Sequence, residues 1–274
     1  MADNDRMSDA SGVDASEVPA VPLRGGGQMP MVGFGTWPMR GYQAQAAVAA
    51  ALAAGYRHID TATMYANEAD IGHAVADSGL DRAEVFLTTK LRASDTGRER
   101  AVLRGSLRAL GTGYVDLWLV HWPPRRPQAG RRMWRELLAL RDEGLVRAVG
   151  VSNYSLAQID DLISETGEAP EVNQVHWNPR RFDPAVLAGH RERGIAVVGY
   201  SPLKDAGLGD PVLAQIATAH GVTPAQVLLR WNLEHQVTVI PKSADPARMG
   251  VNLDLLGFAL DPAEVDRIDR LAAR

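Results

Sequence analysis

Four side chains in the first half of the chain could together place a proton on a carbonyl oxygen: Asp60, Tyr65, Lys90 and His121. Asp60 ends a short apolar run, Arg57 to Asp60, and Tyr65 follows on a loop before a helical stretch that begins near Asn67. Taken alone, Asp60 could cap a turn and Tyr65 could simply pack. A buried Lys90 needs a counter-charge, because an unpaired ammonium away from water is costly, and Asp60 can supply it. A free phenol has a pKa of about 10, too high for ready exchange at neutral pH. An ammonium close to Tyr65 is expected to lower that value and make it a general acid–base. His121 can hydrogen-bond the carbonyl oxygen and hold its orientation as charge develops there. No serine–histidine–acid arrangement and no HxxxH or HxH spacing occurs among the seven histidines. No metal site is expected, and the reductant must be borrowed; a nicotinamide hydride is the simplest.

These groups need a scaffold that gathers distant segments. Residues Val21–Met31 carry Gly25, Gly26 and Gly27 between two semi-apolar pieces, a hairpin pattern. Eight short apolar runs follow: Val32–Thr36, Arg57–Asp60, Glu84–Thr89, Tyr114–Val120, Val146–Val151, Glu171–Val175, Ile195–Tyr200 and Gln236–Ile240. Each is succeeded by helical periodicity, with helices expected over Arg131–Glu143 and, last, over Pro262–Ala273. Strands buried on both faces and alternating with helices predict a (β/α)8 TIM barrel, with the N-terminal hairpin closing the bottom. No strand–GxGxxG–helix unit is present, which argues against a Rossmann domain. Thr36, Asp60, Lys90, His121, Asn153, Gln174, Ser201 and Lys242 all fall at or just past a strand's C-terminal end. In a parallel barrel those ends share one mouth, where such barrels do their chemistry.

The chain has 274 residues and is 46% hydrophobic, which suits one domain of that kind. A single barrel domain is expected over residues 21–274, after a disordered tail over residues 1–20 that is acidic and rich in Ser and Ala. The net charge of −4 with interspersed signs argues against a nucleic-acid partner. The absence of cysteine excludes disulfides, a thiolate nucleophile and cysteine-bound metal. No apolar run approaches the ~20 residues that span a bilayer. A cytoplasmic monomer acting on a small molecule is expected.

The chain resembles the aldo-keto reductase family, in particular its short-loop prokaryotic type, to which 2,5-diketo-gluconate reductases belong. The resemblance rests on residues 55–62 (GYRHIDTA) with Tyr65, Asn67 and Glu68; residues 89–91 (TKL); 116–123 (DLWLVHWP); 150–153 (GVSN); 173–175 (NQV); 200–203 (YSPL); and 240–243 (IPKS). It covers roughly residues 21–272. It implies NADPH/NADP+ as cofactor, a carbonyl compound as substrate, and a tetrad of Asp60, Tyr65, Lys90 and His121 with Tyr65 as proton donor. By the same resemblance Ser152, Asn153 and Gln174 hold the carboxamide, Tyr200 stacks on the nicotinamide, and Ser201 and Leu203 contact the pyrophosphate. Lys242, Ser243 and Arg248 grip the adenosine 2′-phosphate, Asn252 meets the adenine, and Thr36 belongs to the cofactor wall.

The chain also departs from the family's pattern. Val251 stands where many relatives have a glutamate beside the adenine-contacting asparagine, and Arg92 where they often have a tryptophan. Residues 176–180 (HWNPR) replace a Cys-His-Pro-Tyr type run. With Arg274 soon after the last helix, an open, permissive site is expected, lined by Trp37, Trp122 and Trp177. Arg92 is expected near the mouth, where it would favour anionic or polyhydroxylated substrates. Two other functions fit parts of the pattern: a non-catalytic NADPH-binding sensor or regulatory subunit, and a barrel hydrolase using Asp60 and Glu68. The first leaves a proton donor without a use, and the second leaves Lys90 and Tyr65 without roles.

Overall fold

The structure, a computed structural model, describes residues 18–25 and 27–273. Most of the expected tail, residues 1–17, lies outside the described residues. An antiparallel hairpin comes first, β1 (Ala20–Pro22) paired with β2 (Gln28–Pro30). Eight parallel strands follow: β3 (Phe34–Gly35), β4 (His58–Asp60), β5 (Phe86–Leu91), β6 (Val115–Val120), β7 (Val146–Ser152), β8 (Val172–His176), β9 (Ala196–Tyr200) and β10 (Val237–Val239). They lie side by side in sequence order. The ring closes where Gly33 N donates to Val239 O at 2.8 Å and Gly35 N to Pro241 O at 3.1 Å. Leu23 and Met29 of the hairpin segment pack against the lumen residues Leu117, Leu119, Val172 and Val198. The hairpin thus plugs the N-terminal end, as the expected barrel requires.

Among the described residues ten α-helices fill the connections: α1 (Gly41–Ala53), α2 (Glu68–Asp77), α3 (Glu99–Leu110), α4 (Pro127–Asp142), α5 (Leu156–Thr166), α6 (Pro184–Glu192), α7 (Pro211–His220), α8 (Pro224–Glu234), α9 (Pro246–Leu253) and α10 (Pro262–Asp269). Six open on proline, whose fixed φ and missing N–H suit a first helical position. In five of these the preceding residue (Asp183, Asp210, Thr223, Asp245 or Asp261) accepts a bond from a first-turn N–H. Such caps contribute about 1 kcal/mol each. The helices' apolar faces form the outer core against the strands, with Trp118, Trp134 and Trp231 fully buried. Among the described residues no single helix is long and apolar enough to cross a membrane; α7 and α8 together reach the length but meet at 89°.

Most strand boundaries shift by a residue or two from the sequence reading, and helix ends shift as well; three of these differences bear on the architecture. β5 begins two residues later than expected, because residues 82–84 form a 3-10 turn capped by Asp81. Lys90 therefore stands within the strand and not beyond it. Helix α4 starts at Pro127 rather than Arg131, using its proline as the first helical residue. The closing helix stops at Asp269 and continues as a 3-10 turn, Arg270–Ala273.

The fit of α2 on α3 depends on a bare backbone. A Cβ on Gly72 would lie 2.7 Å from Ala109 O and 2.7 Å from the Leu110 carbonyl carbon, and neither backbone atom can swing aside. Gly72→Val should cost about 2 kcal/mol of stability through forced separation of the two helices. Urea unfolding with an unchanged midpoint would show that the helices part freely.

Candidate active site

Strand β4 delivers Asp60 to the mouth, and its neighbour β5 delivers Lys90. Lys90 is fully buried, and its Nζ donates to Asp60 Oδ1 at 2.5 Å and to Thr61 O at 2.8 Å. Burial alone would push the Lys90 pKa down; the Asp60 carboxylate, with Tyr65 beyond it, overcomes that and holds it above the usual lysine value. Lys90 is an ammonium at any working pH.

Tyr65 ends a 3-10 turn, Thr63–Tyr65, which is fastened at three points. Thr63 Oγ1 donates to Lys90 O, Thr61 Oγ1 donates to Asn67 Oδ1, and Asn67 Nδ2 donates to Met39 O. These bonds place the Lys90 Nζ 5.2 Å from the Tyr65 ring centroid. His121, just past β6, meets the Tyr65 ring edge to face with centroids 5.7 Å apart. Among the described residues, the lone pair or N–H at His121 Nδ1 is buried without a partner. Burial and then the Lys90 charge push His121 down to about 4, so the imidazole is neutral. The expectation for Tyr65 needs correcting. Its pKa stands above the usual tyrosine value, because burial outweighs the downward pull of Lys90, and Asp60 adds to the rise. Lys90 moderates the phenol's acidity but does not reverse its direction.

A cavity of about 750 Å³ opens beside these groups. Its wall includes Thr36, Asp60, Tyr65, His121, Ser152, Asn153, Gln174, Tyr200, Ser201, Leu203 and Lys242, which the sequence had scattered over seven strand ends. Its size falls within the range of small-molecule sites. Trp37 and Trp122 flank the opening at 50% and 51% exposure, and Trp37 lies 5.1 Å from the Tyr65 ring. The far wall is internally braced. Asn153 Nδ2 donates to His121 O, and Tyr200 Oη donates to Asn153 Oδ1. Asn153 and Ser201 take φ of 63° and 54°. Such left-handed backbone at non-glycine residues costs of order 1 kcal/mol and collects at functional sites.

Other expected residues lie elsewhere. Ser243 and Arg248 gather outside the cavity lining, around the start of α9, where Asp245 accepts from Arg248 Nε at 3.1 Å. Among the described residues the terminal guanidinium nitrogens of Arg248 have no hydrogen-bond partner, and the side chain is 74% exposed. Asn252 is buried in the same helix. Arg92 does not reach the cavity. The carboxylate of Asp95, itself fully buried, holds Arg92 through Nε and Nη2, and a buried acid takes the nearest cations. Trp177 is also a core residue, packed edge to face on Phe182.

The structure adds wall residues that the sequence reading did not assign, among them His176, Met64 and Lys204. His176 stacks on Tyr200 with centroids 5.2 Å apart and planes 18° apart. It lies two residues past Gln174 on β8, so strand alternation could have revealed it. Met64 and Lys204 sit on loops and gave no such signal.

Comparison with known proteins agrees with this geometry. The model of the Aldo/keto reductase family matches residues 31–273. The 2,5-diketo-D-gluconic acid reductase B of Corynebacterium sp. is 42% identical over 260 residues, covering 93% of each chain. Among solved structures, an aldo/keto reductase from Brucella melitensis superposes with a TM-score of 0.90 at 42% identity, over 93% of this chain and 98% of that one. A Bombyx mori aldo-keto reductase in complex with NADP gives a TM-score of 0.85 at 32% identity, over 92% of each chain. With its barrel, its buried Lys90–Asp60 pair and its family match over nearly the whole described length, the chain belongs to the aldo/keto reductase family.

Proposed function

We propose that this protein is an NADPH-dependent reductase that converts the aldehyde or ketone group of a small molecule to an alcohol. The observation that carries the reading is a fully buried ammonium, Lys90, held between a carboxylate and a phenol whose ring faces an open cavity. No surface charge pattern needs that arrangement, whereas a proton donor to a carbonyl oxygen does.

The donor set fits a phosphorylated dinucleotide. Lys242 and the terminal nitrogens of Arg248 offer two cations, which suit a phosphate dianion, and Ser243, whose hydroxyl donates to Asp245 O, would turn that hydroxyl toward the phosphate. Ser152, Asn153 and Gln174 would hold the carboxamide, with Tyr200 against the ring, Ser201 and Leu203 at the pyrophosphate, Asn252 at the adenine and Thr36 in the wall. The Bombyx mori relative's complex with NADP supports the same choice. When bound, the nicotinamide supplies a hydride to the carbonyl carbon.

The chain's own groups do the rest. Neutral His121 orients the carbonyl oxygen by a hydrogen bond. Tyr65 passes its phenolic proton to that oxygen as it gains negative charge. Lys90 offsets the charge left on Tyr65, and Asp60 keeps Lys90 charged and in place. Trp37 and Trp122 give the substrate an apolar rim. We place the protein in the cytoplasm as a monomer. The Corynebacterium relative's name points to sugar-derived keto acids as one substrate class to assay.

Absorbance at the NADPH band across a panel of carbonyl compounds tests the activity. Tyr65→Phe should lower kcat by about a hundredfold or more, the usual worth of a positioned acid; activity that survives the change would remove Tyr65 as donor. Arg248→Ala should raise KM for NADPH about tenfold while leaving NADH kinetics unchanged, since one charge-assisted contact to phosphate is lost. Equal efficiency with the two cofactors in the unaltered protein would contradict the assignment of the phosphate grip.

A further inference from the structure

Both carboxylate oxygens of Asp60 are taken. Oδ1 accepts from Lys90, and Oδ2 accepts from Gln174 Nε2 at 2.8 Å. Gln174 stands on β8, four places from β4 in a ring of eight strands, so this bond crosses the barrel's lumen. Gln174 is 3% exposed and Asp60 is 2% exposed. A carboxylate can only accept, so the amide end that touches it is the NH2 group, which fixes the orientation of the side chain. Oε1 is then the end without a partner among the described residues, and Gln174 lines the cavity.

Asp60 has two opposed effects on Tyr65. It keeps Lys90 charged, which favours proton release, but its own negative charge holds the proton on the phenol. A donor on Oδ2 draws charge away from the side of the carboxylate that Lys90 does not cover.

We propose that Gln174 is a positioning residue of the proton donor: from across the barrel it pins and partly neutralises Asp60, leaving the Lys90 charge to act on Tyr65. This rests on the reductase reading above and deepens it. A hydrogen bond accepted at Oε1 polarises the amide and strengthens its hold on Asp60. Recognition at the cavity wall and readiness of the donor are coupled through one side chain. The charged and titratable groups around Tyr65 are Asp60 on β4, Lys90 on β5, His121 after β6 and Tyr200 on β9, and none of these needs to move for the coupling to work.

The test is a 13C NMR titration of the cofactor-free protein labelled at tyrosine Cζ, with Tyr65 identified by the resonance that Tyr65→Phe removes. Gln174→Met keeps the side chain's length and cannot donate. Its Tyr65 resonance should begin to titrate about one pH unit higher than in the unaltered protein. Its kcat should fall about tenfold. Gln174→Glu sets two carboxyls face to face; they share a proton in acid, so its kcat relative to the unaltered protein should recover between about pH 8 and about pH 6. If Gln174→Met leaves the Tyr65 titration and kcat unchanged and only raises KM for NADPH, the residue is a cofactor contact alone and the proposal is overturned. If that variant does not fold, a pH-independent deficit in Gln174→Glu overturns it equally. The titration needs no turnover, so its result stands apart from whether the unaltered protein reduces any carbonyl.

Discussion

A single ammonium buried at the mouth of the barrel dictates the arrangement around it. Lys90 has no exposure to water, and its hydrogen bonds go to Asp60 and to the Thr61 carbonyl. Leaving such a charge unpaired costs about 3–5 kcal/mol, a large share of any domain's stability. Asp60 is therefore not free to act as a base or a metal ligand. It is held by its partner and in turn holds it. The phenol beside the pair feels both charges, and the structure shows that burial still wins over the ammonium's pull. A phenol held above its ordinary value keeps its proton, which is what the proposed donor role asks of Tyr65.

The fold explains how such a pair can be afforded a fixed geometry. Asp60 and Lys90 stand on adjacent parallel strands whose register is set by hydrogen bonds along β4 and β5. The hairpin plug below and the helices outside keep water from the lumen. Threonines and Asn67 fasten the loop that carries Tyr65, so the ring cannot drift from the ammonium. The opposite wall is braced to the same centre: Gln174 reaches Asp60 across the lumen, and Asn153 joins Tyr200 to the backbone of His121. Hydrogen bonds thus tie Gln174 to the Lys90–Asp60 pair and tie Asn153 and Tyr200 to the backbone of His121.

Much of this was legible in the chain because a parallel barrel turns a sequence rule into a spatial one. Polar residues at the ends of apolar runs must meet, and Asp60, His121, Asn153 and Gln174 do meet on one cavity. What the sequence hid depends on contacts between side chains that no spacing encodes. Arg92 was placed near the mouth because it follows Lys90, but the buried carboxylate of Asp95, three residues on, captures it. The bond from Gln174 to Asp60 links residues 114 apart, and only the diameter of the closed ring makes it possible. The direction of the Tyr65 shift was also out of reach, since it is a contest between burial and two opposite charges whose outcome depends on depth.

The central claim is that Lys90 is charged where it is buried and that Asp60 keeps it so. Heteronuclear NMR of the Lys90 side-chain nitrogen, read in the cofactor-free protein at about pH 9.5, addresses it directly, because an ordinary lysine would be near its titration range there. The account predicts a fully protonated ammonium in slow exchange with water. A neutral amine at that pH would show that burial had overcome Asp60 and would contradict the account.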